Sequence, residues 1–517
     1  MAKKVNLDAL IPREDFDVNE AITGTTRNIS TLGIRDLEFD SFFFSALRKP
    51  DFQRETNEWE ADRICSLVQS FLDGDLIPAV ILWRNTSGYT FVIDGAHRLS
   101  ALASWINNDF GDGKISKSFY DAVIPDEQVD TAEITRNKVR KEIGLYSDYQ
   151  LSIKNPEKVS SDISARSKTL GSLAIQVQWV EGDAKKAEAS FFKINQQAAA
   201  IDKTELKLLE ARRKPNGVAT RAIIRSGRGH KYWSSFDKDN QDKVQIIAKE
   251  INDILFKPTL KTPIKTLDIP IAGKNLSSQG QMLVLEFVNM VNNINKKDKI
   301  EDDFDGKMTI SYLKASLRVA RVINSIHPSS LGLHPAIYFY AKNGRHKPAS
   351  FLAAIDFVLA LSKSNKTNDF IRVREVFEEA LIYSEDIIQQ IVRKYRSSAA
   401  SYPYIKDFYF DLMNQVSNSN DAPNSLSSLL SLDKYNYLTA REVSMQEIKT
   451  SKFSSDRKSE VFIKEALRNA IKCKICGGYI HVNSITIDHK ERKEDGGLGT
   501  VDNAQLAHPY CNSTYKN

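Results

Sequence analysis

The chain runs to 517 residues, 41% hydrophobic and 27% charged, the balance of a soluble multidomain protein with material for sizeable cores. No stretch approaches the roughly 18 uncharged apolar residues of a membrane span, and the opening MAKKVNLDALIPRED lacks the apolar core of a secretory signal, so a cytoplasmic protein with no membrane partner is expected. The formal net charge of +6 is spread too thinly to identify a polyanionic partner by itself.

In chain order, the first residues, up to about 35, read as a polar arm or ordered extension. From Leu37 to about Lys231, short strands mix with helices. Asn57 to Asp73 places Ile64, Leu67, Val68 and Phe71 at helical spacing. Ala79 to Trp83 and Tyr89 to Ile93 are strand-length apolar runs bounded by turn residues. Ala96 to Asn107 is a helix, and Asp109 to Gly113 a loop that ends it. Ile201 to Lys231 holds nine basic residues against three acidic ones. Such a run either tracks phosphates or is a solvated helix face.

The middle of the chain is mostly helical, clearest at Gln281–Asn292, Tyr312–Ser325, Ala349–Leu361 and Arg372–Tyr395. His327, His334 and His346 flank loops there and read as structural. Ser417 to Ser431 is rich in Ser and Asn, a composition that marks a linker or mobile loop. Ser455 to Ile471 then forms an amphipathic helix with Val461, Ile463, Leu467 and Ile471 on its apolar side.

Three of the four cysteines, Cys473, Cys476 and Cys511, cluster near the end, while Cys65 stands alone as a small apolar residue. Clustered cysteines in a cytosolic chain point to a metal. Cys473-Lys-Ile-Cys476 and His508-Pro-Tyr-Cys511 are two knuckles of the same spacing. Together they offer the four N/S ligands of a structural zinc, which would fold a module with little core of its own. Between them lie the strand Ser484–His489, the loop Glu494-Asp-Gly-Gly497, and Asp502-Asn503-Ala-Gln-Leu506.

This order of knuckle, Asp-His, Gly-Gly, Asn before a leucine, and knuckle ending in Cys-Asn resembles the HNH, or ββα-metal, nuclease family. Many members carry cysteine where this chain has His508. The resemblance implies phosphodiester hydrolysis. Histidine suits the general-base role near neutral pH, which falls to His489. A hard divalent ion, Mg²⁺ or Mn²⁺, takes oxygen ligands and clamps phosphate. Asp488 and Asn512 match the family's metal-ligand positions, and Asn503 the asparagine that orients the histidine loop. Lys490, Arg492 and Lys493 follow the histidine and suit phosphate contacts.

Near the other end, Tyr89 to Leu102 reads as strand, Asp94-Gly95 turn, helix. The first helical amides favour an anion, with His97 and Arg98 in the same turn. Asp51-Phe-Gln53-Arg54, Trp59, Ile77-Pro78 and Asp94-Gly-Ala-His97-Arg98 are similar to the ParB/sulfiredoxin-like N-terminal domain of GmrSD-type restriction enzymes. The match spans roughly Asp36 to Arg213 and includes Ser190–Asn195 and Thr204-Glu205-Leu206. Family members carry DGQQR or DGQHR where this chain has DGAHR. The resemblance implies binding of a nucleoside triphosphate and defence against phage DNA, often modified DNA. It carries over Gln53, Arg54, Asp94, His97, Arg98 and Asn195 as nucleotide or phosphate contacts, and the missing glutamine leaves binding and hydrolysis as separate alternatives.

The expected fold class is α+β and multidomain: a ParB/sulfiredoxin-like α/β domain at 1–235, a helical domain at 236–416, a linker region at 417–454 and a zinc-bound ββα-metal module at 455–517. The expected function is a metal-dependent DNA endonuclease of a bacterial restriction system, gated by a nucleotide- or DNA-modification-sensing domain. It would act as a homo-oligomer or with defence-system partner proteins. The alternative is a DNA-binding regulator whose zinc module is only a clamp.

Overall fold

The computed structural model describes residues 4–516 apart from 15–27, 51–52, 54–55, 58, 121, 123, 125, 199–206, 209, 229–231, 276–277, 296–297 and 440–451. The chain forms two compact units, one of Met1–Arg212 with Arg228–Tyr232 and one of Arg213–Gly227 with Trp233–Asn517. Among the described residues no helix is long and apolar enough to cross a membrane.

The first unit is built on a mixed sheet of six strands: β1 (Arg13–Glu14), β2 (Thr31–Gly33), β3 (Leu47–Pro50), β4 (Val80–Arg84), β5 (Thr90–Asp94) and β6 (Ala174–Trp179), in the order β1-β3-β5-β4-β6-β2. Alternation along a strand sends successive side chains to opposite faces. Val80, Leu82 and Val92 therefore face the main core, with helices α1 (Ala61–Leu72) and α2 (Ala96–Ile106) packed there through Ile64, Val68, Leu99 and Leu102. Trp83, Phe91 and Ile93 face the other side, where Ala187 and Phe191 of α3 (Ala184–Ala198) cover them.

The opening segment is not a polar arm. Val5, Leu7, Ala9, Leu10 and Ile11 are each at most 2% exposed, so their apolar side chains belong to the core. Asp8 enters with them and is held by two buried cations, Lys49 at 2.7 Å and Arg13 at 2.5 Å. Thr56 completes the shell of Lys49, 2.7 Å from its ammonium. Buried charge persists only when paired in this way.

The second unit is helical and ends in a small two-stranded element. Its helices include α4 (Ser278–Val291), α5 (Lys307–Ile323), α6 (Pro348–Lys363), α7 (Thr367–Tyr383), α8 (Glu385–Tyr395), α9 (Ser398–Ser419), α10 (Ala422–Leu430) and α11 (Ser455–Arg468). The single helix expected over Arg372–Tyr395 is two, broken at the fully buried Ser384. Phe357, Phe370, Phe377 and Tyr409 form an aromatic core across α6, α7 and α9, with Phe357 stacked on Phe377 and the others edge-on.

The Ser/Asn-rich stretch from Ser417 to Ser431 is not a loop but the end of α9 and all of α10. Asp421 caps α10 by accepting from the Asn424 amide, and Leu426 and Leu429 are buried. Composition alone misleads where a cap and two apolar residues at helical spacing decide the structure. On α11 Ser459 and Ile463 are buried, so Ile463 lies on the packed side as expected, while Val461 is 60% exposed and Ile471, beyond the end of the helix, 52% exposed. The Ser459 hydroxyl accepts from the Ile264 amide at 3.0 Å, one turn before Ile463 on the same packed face. His334 is buried and His346 half-buried, and both are structural: His334 accepts from the Ala336 amide, and His346 lies 3.0 Å from the Ile271 carbonyl.

Candidate metal centre

The last part of the second unit is organised by the hairpin of β7 (Thr486–His489) and β8 (Ala504–Ala507), antiparallel with Asp488 opposite Gln505 and His489 opposite Ala504. Around it the two knuckles fold back on each other. The Cys473 amide donates to the Gly478 carbonyl at 2.8 Å and the Gly477 amide to the Cys473 carbonyl at 2.9 Å. Lys474 then donates to Leu506 on β8 at 3.0 Å, which ties the first knuckle to the hairpin.

Cys473, Cys476, His508 and Cys511 converge with their ligand atoms all within 4.8 Å of one another, and all four are buried. The His508 Nε2–H donates to the Tyr479 carbonyl at 3.0 Å, and Nδ1 faces Cys476 Sγ at 3.4 Å. A backbone acceptor on one ring nitrogen fixes the tautomer that presents the other to a metal. Burial, then the nearby Arg374, hold the His508 imidazole below its usual range and hence neutral. Hydrogen bonds from Cys476 and Cys511 push the Cys473 thiol down, while donation to Cys473 pushes the Cys476 thiol up to about 12 and the Cys511 thiol up as well. Three sulfurs this close repel one another once ionised, so a cation is needed to hold all of them as thiolates. The residues therefore fit a structural zinc, the tetrahedral ion of closed Cys₃His sites.

The cluster is seated on α7 through a buried polar network that the sequence reading missed. Arg374 and Glu378, both fully buried, pair at 2.7 Å. Arg374 also donates to the Gly332 carbonyl at 3.0 Å and to the Leu331 carbonyl, and its Nη1 lies 3.3 Å from His508 Nδ1. Glu378 accepts from the Tyr479 amide at 2.7 Å and the Tyr338 hydroxyl at 3.0 Å. Burial opposes the guanidinium charge, but Glu378 and then Cys476 hold it in place. A guanidinium beside three sulfurs offsets the net negative charge of a loaded Cys₃His site.

The knuckle glycines are set by this contact as much as by the turn. A Cβ on Gly477 would lie 2.5 Å from Glu375 Oε2, and one on Gly478 2.5 Å from Arg374 Nε. Arg374 cannot swing aside without leaving its charge unpaired. Gly478→Ala is therefore expected to destabilise the second unit by about 1–3 kcal/mol through overpacking. The measurement is the denaturant midpoint of the full chain; an unchanged midpoint would show that α7 yields.

Asp488 and His489 close β7, with Asp488 only 5% exposed and His489 half-buried. Asp488 Oδ2 accepts from Gln505 Nε2 at 2.6 Å and from Lys516 Nζ at 2.9 Å. Lys516 also donates to the His489 carbonyl, and Arg492 donates to the Lys516 carbonyl. Asn503 spans the loop after His489: its Oδ1 accepts from the Glu491 amide at 2.7 Å, and its Nδ2 donates to the Leu498 and Glu491 carbonyls at 2.9 and 3.2 Å. Asn512, one residue past Cys511, donates to the Ile487 carbonyl at 3.3 Å. The structure thus sets Asp488 and His489 at the end of β7, and Asn512, in the helical turn Cys511–Tyr515 that follows the last cysteine, against the same strand.

In the first unit, Gly95 holds a φ of +96°, and a Cβ there would lie 2.6 Å from Val80 Cγ1. Only glycine makes this turn from β5 into α2. Asp94 does not cap the helix with its side chain; it pairs with Arg98 at 2.9 Å, and Arg98 donates to the Ala79 carbonyl at 3.1 Å. His97 stacks on Trp59 with ring centroids 5.9 Å apart, and Arg63 lies 4.5 Å over the same indole. Gln53 is buried, and its carbonyl accepts from Arg13. Arg54 lies outside the described residues, as do Thr204–Leu206, Lys203, Lys231 and the side chain of Asn195. Within the basic run, Arg212 is consumed by an ion pair with Glu188 at 2.9 Å.

Residues 36–215 match the family model described as the GmrSD restriction endonuclease, N-terminal domain, and residues 473–517 match the model described as HNH endonuclease. No curated protein and no solved structure matches the chain.

Proposed function

From a chain that carries a GmrSD restriction endonuclease N-terminal domain and a C-terminal HNH endonuclease domain, we propose a metal-dependent DNA endonuclease of a bacterial restriction system, with cleavage in the HNH module and control in the N-terminal domain. The observation that carries this reading is the placement of Asp488-His489 at the end of a strand braced by the buried Cys₃His cluster.

His489 acts as the general base that takes a proton from the attacking water. Asn503 holds the loop that leaves His489, with three hydrogen bonds across it, so the imidazole has a fixed backbone beneath it. Lys490, Arg492 and Lys493 are exposed on that loop and bind the phosphates flanking the cut. Asp488 and Asn512 would hold a magnesium or manganese ion, which when bound would supply charge neutralisation at the scissile phosphate and its leaving oxygen. The ammonium of Lys516 on Asp488 and on the His489 carbonyl marks this corner as one that accepts a cation. Zinc would serve folding, and the second ion the chemistry.

In the N-terminal domain, the first amides of α2 with His97 and Arg98 would form an anion-binding corner, and the family resemblance adds Gln53, Arg54, Asp94 and Asn195 as further nucleotide or phosphate contacts. Binding of a nucleoside triphosphate or a modified DNA feature there gates the nuclease, which protects the host chromosome. The full chain, incubated with supercoiled plasmid and with phage DNAs of different base chemistry, is expected to nick or linearise DNA only when Mg²⁺ or Mn²⁺ is added. Absence of cleavage with every divalent ion and every DNA would favour the DNA-binding regulator. Equal cutting of all DNAs with and without nucleotide would remove the gate.

A further inference from the structure

Lys516 neither ligates the ion nor moves a proton in the nuclease proposed above, yet it bonds Asp488 and the His489 backbone directly. Its side chain is 19% exposed, and its ammonium bonds both the 6%-exposed carboxylate of Asp488 and the carbonyl of the next residue, His489. Gln505 occupies the same Asp488 oxygen at 2.6 Å, so Oδ2 already has an amide and an ammonium donor. Arg492, on the loop that follows the histidine, donates to the Lys516 carbonyl. A carboxylate in this state carries its own counter-ion, and a divalent ion must compete with a tethered ammonium for it.

We propose that Lys516 is the resident counter-ion of the nuclease site: it sets the divalent-ion affinity by occupying Asp488, and Arg492 controls its release. Two physical consequences follow. An ion that coordinates Asp488 displaces Lys516, which lowers the apparent affinity by the strength of the ammonium–carboxylate bond. A phosphate that engages Arg492 competes with the Lys516 carbonyl for that guanidinium and loosens the lysine. DNA binding and ion binding then favour each other, because both disfavour the same closed arrangement. A nuclease held this way keeps its carboxylate neutralised until substrate and ion arrive together.

This inference rests on Asp488 as a ligand of the catalytic ion, and the test separates the two. Mn²⁺ binding to the zinc-loaded full chain is followed by the electron paramagnetic resonance signal of the free ion. Lys516→Met is expected to bind Mn²⁺ about tenfold more tightly than the wild type, the effect of removing one competing charged hydrogen bond. Arg492→Gln is expected to give a smaller gain in the same direction. Unchanged or weaker binding in Lys516→Met, with zinc content retained, would overturn the proposal while leaving Asp488 as a ligand. If Asp488→Asn leaves Mn²⁺ binding unaltered, the ligand assignment itself fails, and the role of Lys516 fails with it.

Discussion

Removing the metal from the Cys473–Cys476–His508–Cys511 cluster is expected to unfold the region 473–517 while the first unit stays folded. Little else holds this region as a body of its own: its hairpin has four residues in each strand, and Ile487, Leu498 and Val501 are 68%, 72% and 89% exposed. Structural zinc contributes about 10–16 kcal/mol of apparent binding free energy in small modules, far more than such a hairpin supplies. The effect also reaches α7. Without the ion the three thiols cannot all ionise, and Arg374, fully buried, loses the negative sulfurs that offset its charge. Treatment with a strong chelator, followed by limited proteolysis, is expected to expose cleavage sites after Lys472 and to abolish DNA cutting, and Cys511→Ala is expected to do the same. Continued protease resistance of this region after verified zinc loss would mean that docking on Arg374 and Glu378 suffices to fold it.

The zinc cluster was legible in the sequence because its geometry is local. Two residues between ligands make a tight turn in which both side chains face one point, so Cys473-x-x-Cys476 and His508-x-x-Cys511 specify most of the site. The strand–turn–helix at Asp94-Gly95 was legible for the same reason, since a left-handed residue between β5 and α2 admits only glycine. What supports the cluster was not legible. Arg374 and Glu378 lie about a hundred residues upstream, four apart on a helix, where an Arg and a Glu at that spacing read as an ordinary solvated pair. Nothing in the run EVFEE shows that this face is buried beneath a zinc knuckle. The opening segment was legible only in part: its polar composition left a polar arm and an ordered extension as alternatives, and the burial of Asp8 between Lys49 and Arg13 is a pairing that only the tertiary fold creates. The Ser/Asn run before α11 misled because turn-forming composition is a correlation, whereas the cap at Asp421 and the buried Leu426 and Leu429 are the cause of the helix.

The nuclease reading stands or falls on His489. Its position is fixed from several sides: β7 carries it, Asn503 ties down the loop beyond it, and Lys516 binds its carbonyl. Removal of the imidazole is therefore expected to leave the scaffold and the zinc content untouched and to take away only the proposed proton acceptor. Positioned general bases contribute about 10²–10⁴-fold to rate, and the loss on substitution is expected in that range. The most direct measurement is the single-turnover rate of DNA cleavage by the full chain in Mg²⁺ or Mn²⁺, wild type against His489→Ala, with zinc content measured on both. A fall of about 10²–10⁴-fold at equal zinc content is the predicted result, and an unchanged rate in the variant would contradict it.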